Sequence, residues 1–206
     1  MKIKKKNTVI IEASSFQLSY SKFIYPNYAI LLNISNDHLD WHGGMKKYID
    51  SKFKVFKFQK KRQYSFLNNK LKLYFKSKKG LGKLIIPNVQ TNKKKIKSKI
   101  NNPYLKLDIN DENMSFVFAL SKYLNIKEKP LLNSLKTFVG LPHRYETFLK
   151  KKNFIFINDS KATSFEATKF ALKNTKNIFW IVGGLHKKND KINLKNLNKN
   201  IKKTYI

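Results

Sequence analysis

Short apolar runs broken by lysine and asparagine recur along the chain, and their spacing predicts strands alternating with helices. Residues 8–11 and 28–34 are β-rich runs of the kind that forms strands buried on both faces. Between them, residues 14–20 suit a short helix. Met45, Tyr48, Ile49, Phe53 and Phe56 recur at helical spacing, which predicts a helix over 45–58 with Lys52 one turn after Tyr48, bordering the apolar face. Residues 64–67, 71–75 and 84–86 read as short strands separated by Asn-Asn and Lys-Gly turns, a small β-rich part. Amphipathic helices are predicted over 113–124 and 131–139, and Gly140 followed by Pro142 stops the second.

That stop signal is the expected boundary between a domain of residues 1–139 and one of residues 140–206. Beyond it the pattern predicts a strand at 154–157, a helix at 164–173, a strand at 178–182 and a Gly183-Gly184 turn, the order of a βαβ unit. A further strand starts at 204–206. The expected class is α/β, a mostly parallel sheet with flanking helices followed by the first part of a Rossmann-like domain.

Charge changes this picture less than its size suggests. The 206 residues carry a net charge of +32, which invites a reading as a binder of nucleic acid or other anions. All of the 44 basic residues except Arg62 and Arg144 are lysine, however, and the chain is also rich in Asn, Ile and Phe, a skew typical of an A/T-rich coding background. Phosphate and base recognition favour the planar guanidinium fork, so dedicated nucleic-acid binding is not expected. The lysine runs at 4–6, 93–95 and 150–152 read as solvated loops. There is no cysteine, which excludes disulfides and thiolate metal sites and suits a reducing cytoplasm. No apolar run approaches the ~18 residues of a membrane span, and no signal-peptide pattern follows Met1, so a soluble cytoplasmic chain is expected.

Several polar strings could carry chemistry. Glu12 follows the run at 8–11, and Asp37-His38-Leu39-Asp40 follows the run at 28–34. On parallel neighbouring strands these groups converge at one C-terminal edge, a common place for Mg²⁺ with phosphate; singly, an Asp-His pair is more often a turn or a helix cap, and a Glu at a strand end is usually solvated. Asp159-Ser160-Lys161-Ala162-Thr163 precedes the helix at Ser164, where free N–H groups favour an anion and Lys161 and Thr163 add a charge and a hydroxyl. Asp159 or Thr163 could instead simply cap that helix. Gly183-Gly184 permits a sharp turn or close ligand approach, with Lys187 three residues on. His143-Arg144 sits at the expected boundary, where the arginine could reach a phosphate or pair with Glu146.

Taken in order, six strings resemble the Mur ligase family, and within it the branch that adds D-glutamate. They are Glu12-Ala13-Ser14-Ser15-Phe16-Gln17-Leu18, the segment from Asn33 to Asp40, Tyr48 to Lys52, Gly140 to Glu146, Asn158-Asp159-Ser160-Lys161-Ala162-Thr163, and Gly183-Gly184. The resemblance implies a central ATPase domain and an amino-acid-binding C-terminal domain, both incomplete here. It implies cytoplasmic, Mg²⁺-dependent ligation in which ATP phosphorylates the carboxylate of UDP-N-acetylmuramoyl-L-alanine and the amine of D-glutamate attacks the acyl phosphate, carried out by a monomer without nucleic acid or membrane insertion. Glu12 and His38 would hold Mg²⁺, and Lys52 would be carbamylated to supply a further carboxylate. Lys161 and Thr163 would bind the D-glutamate carboxylates with Lys187 nearby, and Asn113, Arg144 and Asp159 would contact the nucleotide.

The sequence also departs from the family pattern. No Gly-rich Gly-Lys-Ser/Thr phosphate loop occurs in the 206 residues, Phe116 stands where a second adenine-side Asn is expected, and Ser164 stands where an Asn is usual. The expectation is therefore a fragment that is inactive by itself. A folylpolyglutamate synthetase-like ligase and a basic anion binder are the alternatives, the first disfavoured by the string Asn158 to Thr163.

Overall fold

The computed structural model describes residues 7–78, 82–90, 97–185 and 193–206. They form two compact units, one of residues up to 101 with 110–133, the other of residues 102–109 with 134–206.

The first unit is built on a three-stranded parallel sheet in the order β1 (Tyr28–Leu31), β2 (Tyr64–Leu67), β3 (Lys83–Ile85). Tyr28 pairs with Tyr64 and Tyr64 with Lys83, so the three strands end together at one edge. Helix α1 (Ser15–Tyr20) opens on a capping box in which Ser14 and Gln17 satisfy each other's backbone N–H groups. After β1 come α2 (Leu39–His42), a single turn, and α3 (Met45–Lys57); α4 (Lys72–Ser77) connects β2 to β3.

The core follows from these periodicities. Ile49, Phe53 and Phe56 of α3 pack with Ala29 and Leu31 of β1, Leu67 of β2, and Leu71 and Phe75. The tyrosine Tyr123 at the end of α5 (Asp111–Tyr123) packs on Tyr64 and Phe66 at ring separations of 4.7 and 5.4 Å and accepts a hydrogen bond at its carbonyl from Tyr28. Inside the unit, Gln59 is fully buried and donates to the carbonyls of Pro26 and Tyr64, while Ser65 donates to it. Gly82 must lack a side chain, since a Cβ there would lie 2.5 Å from Ser65 Oγ.

In the second unit α6 (Glu128–Lys136), which begins in the first, leads to β4 (Glu146–Lys151) and β5 (Phe154–Asn158), an antiparallel hairpin. Helix α7 (Phe165–Asn174) follows, and β6 (Ile178–Ile181) pairs in parallel with β7 (Ile201–Tyr205). The buried Asn102 donates from Nδ2 to the carbonyls of Leu135 and Phe138 at 2.8 and 2.7 Å, closing the C-terminal end of α6.

The α/β class with a parallel sheet and flanking helices is what forms, but four local expectations change. Residues 8–11 make no strand: no described strand lies beside them to complete a ladder, and Ile10 is 92 % exposed. Residues 71–75 are helical, because burial of Leu71 and Phe75 with Leu73 left 79 % exposed follows a 3.6-residue period, whereas a strand would bury all three together. The run at 150–152 is not all loop: Lys150 and Lys151 lie in the exposed strand β4 and only Lys152, at φ 49°, makes the turn. Lastly, β5 pairs with β4 rather than with β6, so the expected βαβ pairing between residues 154–157 and 178–182 is absent among the described residues. The runs at 4–6 and 93–95 and the candidate Lys187 lie outside the described residues.

Candidate functional site

The polar strings gather at two places, one in each unit. The first lies beyond the C-terminal end of β1, where open parallel sheets place their ligands. His38 is the N-cap of α2 in a left-handed conformation (φ 53°), which the short hydrogen-bonded turn with Asp37 supports: Asp37 Oδ1 accepts from the His38 N–H at 3.0 Å, and Oδ2 lies 3.3 Å from Nε2. The imidazole meets the Phe16 ring edge-on at 4.7 Å. Four residues on, buried His42 places Nε2 3.0 Å from Ser15 Oγ and contacts the rings of Phe16, Trp41 and Tyr48. Tyr48 in turn lies under the Lys52 ammonium, 5.1 Å from Nζ to the ring centroid.

Electrostatics follow from this packing. Burial pushes the Lys52 amine below the usual lysine range, with Asp37 opposing. Burial and then Asp37 push the Tyr48 phenol up to about 12. Burial, and next the nearby His38 and Lys52, lower His42, which is therefore a neutral ring at neutral pH. Asp37, His38, Tyr48 and Lys52 thus form one electrostatic group around a partly desolvated amine.

Glu12 is not brought into that group. It is exposed on an irregular segment rather than at a strand end. Among the described residues, no three His, Asp or Glu side chains stand close enough to hold a metal by themselves. Mg²⁺ does not require such a set, since it commonly takes one or two carboxylates and completes its shell with water and phosphate oxygens. Asp37 supplies one such carboxylate, with the His38 ring beside it.

A cleft of about 350 Å³ opens just past β2 and β3, lined by Asn68, Asn69, Asn88, Gln90 and Phe116 among others. Asn113 is exposed on α5, one turn before Phe116, so the unexpected Phe116 forms a buried apolar wall of this cleft. In the same unit, Asn68 donates to Glu112 and caps the turn after β2.

The second place is the loop before β4 and the end of β5. Asp159 Oδ1 accepts from the Tyr145 N–H at 2.9 Å, the His143 carbonyl accepts from the Lys161 N–H at 3.0 Å, and Asn158 Nδ2 meets His143 Nδ1 at 2.9 Å. These bonds hold His143 and Tyr145 at positive φ (63° and 47°), a conformation that costs a residue with a side chain about 1 kcal/mol or more. Burial raises the Asp159 carboxyl, opposed by the Tyr145 N–H and then Arg144. Tyr104 is also raised by burial, and Arg144 and Asp159 are the charges that act on it.

Two local expectations are corrected here. Ser164, not Asp159 or Thr163, caps α7, accepting from the Ala167 N–H at 3.3 Å. Glu146 accepts from the His143 N–H at 2.8 Å and lies 3.8 Å from its ring, so its partner is His143 rather than Arg144. Lys161 and Thr163 are exposed just before α7. Asp37 stands where its string predicted a carboxylate beside His38, whereas Ser15, His42 and Tyr48 carried no expected role, although the Asp-His-x-x-x-His and Tyr-x-x-x-Lys spacings were signals for the last two. Tyr104 had none, because its ring approaches Gly140 only through folding.

Residues 1–130 match the Mur ligase middle domain. The chain belongs to the Mur ligase family. The match covers the whole first site and ends before the second. The UDP-N-acetylmuramoylalanine--D-glutamate ligase of Elusimicrobium minutum is 32 % identical over 203 residues, covering 90 % of this chain and 45 % of that protein. Its namesakes from Rickettsia felis and Fervidobacterium nodosum are 33 % and 34 % identical, covering 98 % and 94 % of this chain and 49 % and 45 % of their own lengths. This Mur ligase chain therefore spans about half the length of the relatives it matches. No helix among its described residues is long and apolar enough to cross a membrane.

Proposed function

We propose that the chain carries part of the cleft of an ATP-dependent cytoplasmic ligase that joins D-glutamate to UDP-N-acetylmuramoyl-L-alanine through an acyl phosphate. The observation that carries this reading is the grouping of Asp37 and His38 with a desolvated Lys52 beyond β1. The D-glutamate ligases among its relatives support it over a folylpolyglutamate-type activity.

On this reading residues 1–139 act as the ATPase part and residues 140–206 as the amino-acid-binding part of a monomer. Burial keeps a larger share of Lys52 in the neutral form, whose nitrogen attacks CO₂; one proton leaves and a carbamate forms, supplying two oxygens that share one negative charge beside Asp37 and His38. His38 and this carbamate, with Asp37, would hold Mg²⁺, which when bound neutralises charge on the phosphate oxygens. Asn113, Arg144 and Asp159 orient the nucleotide. Lys161 and Thr163, with Lys187, hold the D-glutamate carboxylates so that its amine faces the activated carbonyl.

Saturation-transfer NMR with D- and L-glutamate tests the reading. Binding of the D enantiomer alone, lost in Lys161→Ala and Thr163→Ala, is expected; equal binding of both enantiomers, or of neither, overturns it. Because the 206 residues hold no phosphate loop, the polypeptide by itself should release no phosphate from Mg·ATP with both substrates present. Turnover above a Lys52→Ala control would contradict that expectation.

A further inference from the structure

The one-turn helix α2 has little means of holding itself in place. It is flanked by left-handed residues, His38 at φ 53° and Gly43 at φ 70°, and is closed by the bonds from His42 N to His38 O at 3.1 Å and from Gly44 N to Leu39 O at 3.0 Å. A single turn of helix is not stable alone, so a tertiary contact must fix its orientation. His42 is its buried residue.

The His42 side chain touches all three helices around the site. Nε2 lies 3.0 Å from Ser15 Oγ on α1, the ring stacks on Phe16 of α1 at 5.6 Å, and it meets Tyr48 of α3 at 5.1 Å. Its backbone holds the turn that begins at His38, and Tyr48 lies beneath the Lys52 ammonium. We infer that His42 is a positioning residue, whose hydrogen bond to Ser15 and ring contact with Tyr48 hold His38 and Lys52 in one fixed arrangement. A buried ring nitrogen that has lost its partner costs about 1–3 kcal/mol, so the arrangement is specific to the Ser15–His42 pair rather than to apolar packing. In its functional consequence the inference rests on Lys52 being the reactive amine.

The test compares the 206-residue chain with His42→Phe, which keeps a packed ring without the hydrogen bond, with Ser15→Ala, with the double variant, and with His42→Gln, whose amide can still reach Ser15. Two quantities are read by NMR: the ring-current shift of the Lys52 ε-protons above Tyr48, and carbamate occupancy of Lys52 under ¹³CO₂. Thermal denaturation confirms that each variant folds, and Ser15→Ala carries the comparison if His42→Phe does not. His42→Phe and Ser15→Ala should each remove most of the ring-current shift and lower carbamate occupancy at least about threefold, as expected for partners in one network. The double variant should lose no more than either single one, and His42→Gln should restore both signals. Retention of the ring-current shift in His42→Phe and Ser15→Ala overturns the inference, and if carbamate persists there the Lys52 reading survives alone. A wild-type chain without carbamate whose shift is nonetheless lost in the variants overturns the Lys52 reading and leaves His42 as a positioning residue.

Discussion

The two units use similar apolar runs to opposite effect. In the first, helices cover the sheet, and Phe53, Phe56, Phe66, Leu67 and Phe75 are buried. In the second, Phe148, Phe154, Ile155, Phe156 and Phe179 are exposed, Ile181 is 84 % exposed, and among its described apolar residues only Leu105 and Leu172 are buried. An apolar run becomes core only when a second layer lies on it. The first unit has α3 and α4 against one face and Tyr123 of α5 against the other, whereas the second divides its strands between two separate two-stranded ladders. Its order depends more on polar bonds such as Asn102 to the end of α6, Asn200 Nδ2 to the Leu172 carbonyl at 2.8 Å, and Asp159 to Tyr145.

If this contrast is right, the largest single loss should come from Phe56→Ala. Removing a fully enclosed ring should cost about 3–5 kcal/mol in denaturant unfolding of the first unit. Leu172→Ala should cost the second unit only about 2 kcal/mol, at the low end for such a truncation, because its surroundings are open and can relax. Equal losses would break the comparison. Gly140→Ala should cost about 1–3 kcal/mol, since φ is +89° and the new Cβ would lie 3.2–3.4 Å from the Tyr104 ring; a neutral result would show that this loop relaxes freely.

Asp159→Asn should have the smallest effect, and it is a stabilising one. The folded carboxyl is raised above its ordinary value, so the folded state binds the proton more tightly, and stability falls as pH rises from the ordinary carboxylate range through the folded value. The amide keeps an acceptor for the Tyr145 N–H and removes the partly buried charge. Melting curves should therefore favour the variant at neutral pH and converge with wild type below about pH 3.9; a gain that persists in acid would point to another cause.

The first unit was more legible because its signals are local and long. Five apolar residues at helical spacing marked α3 and left Lys52 at the edge of its buried face. The segment at 71–75 misled because five residues contain too few turns to separate the two periods, and only the burial of Leu71 with Phe75 decides between them. The strand at 146–151 was hidden by its lysines, which solvent tolerates on an exposed strand.

By itself the amino-acid sequence determined the parallel α/β class, the membership in the Mur ligase family, and the residue types available for holding phosphate, metal and carboxylate, because periodicity and motif order are properties of neighbouring positions. Only the tertiary structure decided that Asp37, His42, Tyr48 and Ser15 surround Lys52 and His38 while Glu12 stands apart, and that Tyr104 packs beside Gly140. The contacts of His42 with Ser15 and of Tyr104 with Gly140 join segments far apart along the chain, and desolvation of an amine or a carboxyl arises only when such segments close over it.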